Sequence, residues 1–255
     1  MREGSVYAQL MHARKERGGA FLLLIDPDRT SERHNLELCE AAEECGVDAL
    51  LVGTSFLLDT DFAATVSMIK QVASLPVIIF PGSFAQLTPE ADAVLFTSLI
   101  SGRNAEYLIG EQVRGAPLVK RFGLEPIPTG YMLVESGGTT SVQFVSGTMP
   151  IPSDKVDIAC AHALAAQYLG MRLVYLDGGS GAQAAVPCEM VASVARYIDI
   201  PLIVGGGLRS PEDCAHRIGA GAAMVVVGNS MEADSSFARL REMAAAVHPR
   251  ESVRL

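Results

Sequence analysis

The sequence contains no tryptophan, and aromatic residues make up only 6% of it. Basic residues are also in deficit, with 20 lysines and arginines against 29 aspartates and glutamates, for a net charge of −9. That balance excludes a general nucleic-acid binder, which presents a basic face. Long apolar runs are missing too. The longest, 20–25 and 222–227, have the length of strands and fall far short of the ~18 to 20 residues that span a bilayer. The opening Met1-Arg2-Glu3-Gly4 lacks the charged-then-apolar layout of a signal peptide. The five cysteines (Cys39, Cys45, Cys160, Cys188 and Cys214) are scattered without a Cys-x-x-Cys pair, which excludes a disulfide framework and a cysteine zinc site. The five histidines are equally dispersed and are read as structural or surface residues. A reduced, cytoplasmic protein is expected.

What remains is a chain of 255 residues, 49% hydrophobic, with ample apolar content for a core. Neither a fixed-period repeat nor a domain linker is apparent, so 1–255 is read as a single domain. Its length matches the roughly 250 residues of a (β/α)8 barrel. Candidate strands are Phe21–Ile25, Ala49–Val52, Val77–Phe80, Ala93–Phe96, Tyr131–Val134, Leu173–Leu176, Leu202–Val204 and Ala223–Val227. They are nearly continuous apolar runs, as parallel strands buried on both faces require. Amphipathic segments lie between them. Thr30 or Ser31 can cap a helix over Glu32–Cys45, Ser153 precedes one running through Tyr168, and Ser210-Pro211-Glu212-Asp213 opens one ending before Gly219. Leu75-Pro76, Ala116-Pro117 and Ile200-Pro201 each sit before an apolar run, where proline stops a helix and suits the first residue of a strand. Eight strands alternating with helices predict an α/β (β/α)8 TIM barrel; an open doubly wound sheet is the runner-up. Pro117–Phe122 is an extra apolar run left uncounted. The Gly/Ser/Thr/Pro-rich stretch 135–152 is long enough for a lid or binding loop.

Glycine turns follow the last three strands: Asp177-Gly178-Gly179-Ser180-Gly181, Gly205-Gly206-Gly207 and Gly228-Asn229-Ser230. In a barrel these share the C-terminal face, where glycine lets backbone N–H groups approach an anion and a helix N-terminus adds its dipole. Each turn alone could be no more than a tight connection. Three in succession point to a phosphate site. The first strand ends in Asp26-Pro27-Asp28 and the second in Gly53-Thr54-Ser55. Carboxylate and hydroxyl oxygens completed by substrate phosphates are how Mg2+ is held; Asp26 is the better ligand, and Asp28 suits a cap of the next helix.

Leu24-Ile25-Asp26-Pro27-Asp28-Arg29, Phe80-Pro81-Gly82-Ser83, the segment Ser98 to Asn104, Glu125-Pro126-Ile127-Pro128-Thr129-Gly130-Tyr131, Tyr175 to Gly181, Val204 to Ser210 and Gly228-Asn229 together form one pattern. It resembles the geranylgeranylglyceryl phosphate synthase family, in the branch with the Glu-Pro-Ile-Pro-Thr-Gly-Tyr segment, over roughly residues 20 to 235. The resemblance implies a modified TIM barrel that transfers the prenyl group of geranylgeranyl diphosphate to the 3-hydroxyl of sn-glycerol 1-phosphate with Mg2+. It implies Asp26 and Thr54 as Mg2+ ligands. It implies glycerol phosphate binding by Tyr175, Leu176, Asp177, Gly178, Gly179, Ser180, Gly181, Gly205, Gly206, Gly207, Gly228 and Asn229. Tyr131 would stand beside the reacting centre. It further implies a homo-oligomer, a dimer or a hexamer, and a lipid product compatible with transient contact at a membrane surface. A different phosphate-binding barrel, an isomerase or synthase, would share the glycines but not the Asp-Pro-Asp and Ile-Pro-Thr-Gly-Tyr segments.

One departure stands out. The family reads Tyr-Leu-Glu where this chain reads Tyr175-Leu176-Asp177, so the presumed base is shorter by one methylene, about 1.5 Å, and Gly178 follows it. Misplacement of that size can slow a reaction on the order of 10²-fold. Either the strand end shifts, which Gly178 permits, or catalysis is weakened. The side chains that set prenyl length are sought on helices near 56–70 and 83–110.

Overall fold

Runs of Val, Ile and Leu with no polar face must be covered on both sides, and a closed parallel barrel does this for every strand. The computed structural model describes residues 5–29, 31–58, 61–228 and 237–249. Its strands are β1 (Ala20–Ile25), β2 (Ala49–Val52), β3 (Val77–Ile79), β4 (Ala93–Leu99), β5 (Glu125–Leu133), β6 (Leu173–Asp177), β7 (Leu202–Gly205) and β8 (Met224–Val227). They pair in sequence order, all parallel, and β8 closes on β1 through Phe21↔Val225 and Leu22↔Val226. Leu22, Leu51, Ile78, Leu95, Ile127 and Ile203 fill the interior. Their neighbours in the strands, such as Leu23, Val52, Leu176 and Val204, face the helices.

The helices are α1 (Val6–Arg17), α2 (Glu32–Ala42), α3 (Phe62–Val72), α4 (Glu111–Phe122), α5 (Ser141–Ser146), α6 (Val156–Tyr168), α7 (Cys188–Tyr197), α8 (Pro211–Gly219) and α9 (Ala238–Val247). Ser31 caps α2 by accepting the His34 N–H, and Ser210 with Asp213 forms a capping box on α8, both where the sequence placed them. Among the described residues no helix is long and apolar enough to cross a membrane.

Several expectations are corrected. Strand β5 begins at Glu125, not Tyr131, despite Pro126 and Pro128. Residues 125–128 pair only with β4, and β6 joins from Thr129, so the missing N–H groups fall on the side with no strand. Pro117 precedes no strand: it lies inside α4. It and Val113 are on the exposed side, where water can take the carbonyl that loses its partner. Ser153 does precede α6, which runs through Tyr168 as expected but starts after Lys155 without a side-chain cap. Helix α1 was not foreseen. Its Val6, Tyr7 and Leu10 join the interior cluster and close the N-terminal end of the barrel. The Glu125 carboxylate receives its first N–H groups, from Val6 at 2.6 Å and Tyr7 at 3.3 Å.

Two further features shape the C-terminal face. Between β3 and β4 a 3-10 turn, Phe84–Gln86, stands in place of a helix, and a π-helical turn, Glu106–Gly110, leads into α4. Of the helices expected near 83–110, only the 3-10 turn stands between β3 and β4, so the outer layer is open there, and the π-helical turn is the start of the next helix. Within 135–152, a bridge between Val134 and Ile151 pins the base of the connection, and α5 carries its tip.

Candidate active site

A cavity of about 420 Å³ opens at the C-terminal ends of the strands. At one side it is walled by Gly179, Ser180, Gly181, Gly206, Gly207 and Gly228. At the other it meets Asp26 and Thr54, then continues into an apolar recess formed by Phe84, Leu87, Val94, Phe96, Leu99 and Gly115. The recess occupies the gap left by the missing helix between β3 and β4. Val142, Val145 and Ser146 of α5 add to the wall, so the long connection does reach the site.

Asp177, the last residue of β6, lies between these two ends and is only 6% exposed. Its Oδ2 accepts the Tyr131 hydroxyl at 2.6 Å, and its Oδ1 accepts the Gly179 N–H at 2.9 Å. Burial pushes its pKa above the usual carboxylate value; the two hydrogen bonds oppose that rise by favouring the charged form. Burial and the neighbouring carboxylate hold Tyr131 far above the usual phenol range, so it stays a proton donor. Tyr175 is pushed up in the same way by burial and Asp177. Phe80, Tyr131 and Tyr175 form an aromatic cluster at the top of the barrel, with ring centroids 5.3–5.8 Å apart.

The end of β6 keeps a regular ladder with β7. Asp177 pairs with Gly205 in register, and the Gly178 N–H continues the ladder to the Gly205 carbonyl at 3.1 Å. The glycines that follow make room for the carboxylate. At Gly206, where φ is +76°, a Cβ would sit 2.6 Å from Asp177 Oδ1 and 2.7 Å from two backbone nitrogens. A Cβ on Gly205 would lie 2.3 Å from the Tyr175 hydroxyl oxygen.

Of the residues expected at the site, Asp26, Thr54, Tyr131, Tyr175, Asp177, Gly179, Ser180, Gly181, Gly206, Gly207 and Gly228 all line the one cavity. Leu176 turns its side chain to the helix layer, beside Val174 and Val204. Gly178 packs against Ala182, and Gly205 lies beneath Tyr175, so both stand behind the wall. Asn229 falls outside the described residues.

Asp26 Oδ1 accepts the Asp28 N–H at 3.2 Å, and Oδ2 lies 3.3 Å from Arg29 Nε. Burial raises its pKa, against the Asp28 amide, Arg29 and the Thr54 hydroxyl, which lower it. The cap of α2 is Ser31, and the Asp28 carboxylate takes the Leu58 N–H at 3.0 Å and ties the first loop to the second. Asp26 and Thr54 thus offer only hard oxygen donors. No group of three or more His, Cys, Asp or Glu assembles among the described residues. A donor set this small fits Mg2+, which keeps waters and completes its shell with phosphate oxygens. Sequence reasoning missed Arg209 and Arg239 in the wall, and Gln86 behind Thr54. A lone arginine or glutamine has no local signature.

The PcrB family model matches residues 11–247. The geranylgeranylglyceryl phosphate synthase of Spirosoma linguale is 46% identical over 215 residues, 84% of this chain and 86% of the relative. That of Thermococcus kodakarensis is 46% identical over 233 residues, 91% and 92% respectively. The crystal structure of (S)-3-O-geranylgeranylglyceryl phosphate synthase from Thermoplasma acidophilum, in complex with substrate sn-glycerol-1-phosphate, superposes with a TM-score of 0.91. It is 34% identical and covers 96% of this chain and 99% of its own.

Proposed function

The chain belongs to the PcrB family, and from that membership we propose how it works as a prenyltransferase of lipid biosynthesis. It transfers the prenyl group of geranylgeranyl diphosphate to the 3-hydroxyl of sn-glycerol 1-phosphate and releases diphosphate, forming the first ether bond of an ether phospholipid. One observation carries the reading. A buried carboxylate, Asp177, stands between an anion-binding wall of glycines and an apolar recess in a single cavity.

Backbone N–H groups of the turns at 179–181 and 206–207, with Gly228, hold the glycerol phosphate and aim its free hydroxyl, a gain from positioning. The recess buries the prenyl tail and anchors the donor. Asp26 and Thr54 would hold Mg2+, which when bound neutralises the diphosphate leaving group. Asp177 accepts the hydroxyl proton as the new C–O bond forms; Tyr131 fixes one carboxylate oxygen and leaves Oδ1 with a lone pair for the substrate. The rings of Phe80, Tyr131 and Tyr175 present π-faces that favour positive charge developing on the allylic carbon. With the ladder in register, the short carboxylate is met by the glycerol hydroxyl, not carried toward it.

A single domain over 1–255, a cytoplasmic location and a homo-oligomer, dimer or hexamer, belong to the same proposal. Phe56, Leu58 and Met149 on loops and Phe144 on α5, all exposed, support transient contact with a membrane surface. The test is a radiolabelled prenyl transfer with Mg2+ and each enantiomer of glycerol phosphate. Selective transfer to sn-glycerol 1-phosphate is expected. Retained phosphate binding without transfer to either enantiomer would instead identify a homologue that has lost catalysis.

A further inference from the structure

Strand β2 ends at Val52, and its pairing with β3 ends at Val52↔Ile79. Thr54 lies beyond that ladder, yet its backbone is held on both sides. The Gln86 side chain donates its Nε2–H to the Thr54 carbonyl at 2.9 Å. Its Oε1 accepts the Gly82 N–H at 3.1 Å and the Thr54 N–H at a longer 3.5 Å. The amide carries the same donor and acceptor pair as a peptide group, so it continues the interrupted ladder by two more residues' worth of backbone bonding. Gln86 is 1% exposed, on the 3-10 turn that replaces the helix between β3 and β4.

The surroundings leave Thr54 little freedom. A Cβ on Gly53 would lie 1.8 Å from the Phe80 carbonyl oxygen, and one on Gly82 would lie 2.3 Å from that of Thr54. Chains this close transmit a change in one loop directly to the other. The Thr54 hydroxyl, meanwhile, donates to the Phe56 carbonyl at 3.4 Å, and Thr54 lines the same cavity as Asp26.

We propose that Gln86 is a positioning residue for divalent-cation binding: it sets the Thr54 backbone so that the hydroxyl and the Asp26 carboxylate present their oxygens to one ion. The proposal rests on the reading that Asp26 and Thr54 hold the cation. Gln86 itself faces backbone groups, not the ion. Its loss leaves the Thr54 carbonyl and the Gly82 N–H without their partner and releases the loop.

The experiment is an electron paramagnetic resonance titration of Mn2+ into the full-length protein with inorganic diphosphate present. Wild type is compared with Asp26→Asn, Thr54→Ala, Gln86→Met, Gln86→Asn and the double variant of Thr54→Ala with Gln86→Met. Partners that orient metal ligands typically contribute about 10–100-fold in affinity, and a loss in that range is expected for Gln86→Met. Gln86→Asn, which stays polar but reaches less far, should lose affinity in the same direction. In the Thr54→Ala background Gln86→Met should add little, because the two act in series. The KM for sn-glycerol 1-phosphate should stay at its wild-type value while the apparent Mg2+ activation constant rises. Wild-type Mn2+ affinity in both Gln86 variants, or full additivity with Thr54→Ala, overturns the proposal. If Gln86→Met does not fold, Gln86→Asn decides alone. Wild-type Mn2+ affinity in Asp26→Asn would instead overturn the cation site itself, and the role of Gln86 with it.

Discussion

The Tyr131 hydroxyl donates to Asp177 Oδ2 across 2.6 Å, joining the adjacent strands β5 and β6 at the point where the cavity turns from polar to apolar. This bond favours the charged carboxylate and works against the burial that raises its pKa. Tyr131→Phe therefore lifts the Asp177 pKa further. A base must be ionised to act, so the acid limb of kcat/KM moves to higher pH, and the loss of rate is greatest on the acid side. A pH profile of the variant checks this. An unmoved limb would dissociate Tyr131 from the base.

Asp177→Asn separates catalysis from stability. Turnover should fall by about 10²–10⁴-fold with the loss of the general base. Stability should move the other way. The folded chain holds the Asp177 proton more tightly than the unfolded chain, whose carboxyl titrates near 3.8. That contribution is fully present below 3.8 and is lost as pH rises through the raised folded-state pKa. Asparagine never ionises, so its melting temperature should exceed that of wild type at neutral pH. The difference should shrink as the pH is lowered toward 3.8. Asp177→Glu restores the longer arm and should preserve or raise activity in the same assay.

Asp26→Ala should abolish transfer even with excess Mg2+, since it removes the carboxylate that, with Thr54, is proposed to hold the ion. Wild type makes a graded version of the same test. Burial holds Asp26 above its ordinary value, and the proton competes with the cation for the same oxygens. The Mg2+ activation constant should therefore rise as pH falls through this elevated pKa. Near-normal activity of Asp26→Ala, or a Mg2+ constant independent of pH, would remove Asp26 as a ligand.

The strand ends, and with them most of the cavity wall, were legible because buried parallel strands leave unbroken apolar runs whose ends are marked by glycine or proline. Asp26 and Thr54 could be placed at the cavity for that reason, while Tyr131 and the role of Asp177 came from the family resemblance. What stayed hidden depends on partners distant in sequence. The start of β5 at Glu125, ahead of two prolines, depends on the one-sided pairing of that half-strand with β4. Pro117 read as a boundary, although the buried Gly115 and Val119 draw the segment into a helix. Gln86 acquires its meaning only when a 3-10 turn brings it under a residue 32 positions away. Helix α1 ends in the charged run Arg14-Lys15-Glu16-Arg17 and buries just Val6, Tyr7 and Leu10; besides its Ser5 cap, the group that receives its first N–H lies 119 residues downstream.

That group, Glu125, opens the segment that drew attention as a possible functional motif, yet its carboxylate points away from the cavity to the N–H groups of Val6 and Tyr7. It supplies negative charge at a helix N-terminus as well as two acceptors, so it acts on the dipole and on otherwise unpaired donors together. Hydrogen bonds to a charged group contribute about 1.5–3 kcal/mol each, and removal of the side chain leaves both N–H groups to water. Glu125→Ala should lower the melting temperature by several degrees, at about 2–4 °C per kcal/mol for a chain of this size. Helix α1 should open first, seen as faster amide exchange in Val6, Tyr7 and Leu10 than in the interior strands. Turnover below the transition should match wild type, because the cavity lies at the opposite ends of the strands. A loss of transfer with an unchanged melting temperature would place Glu125 in the reaction rather than in the fold.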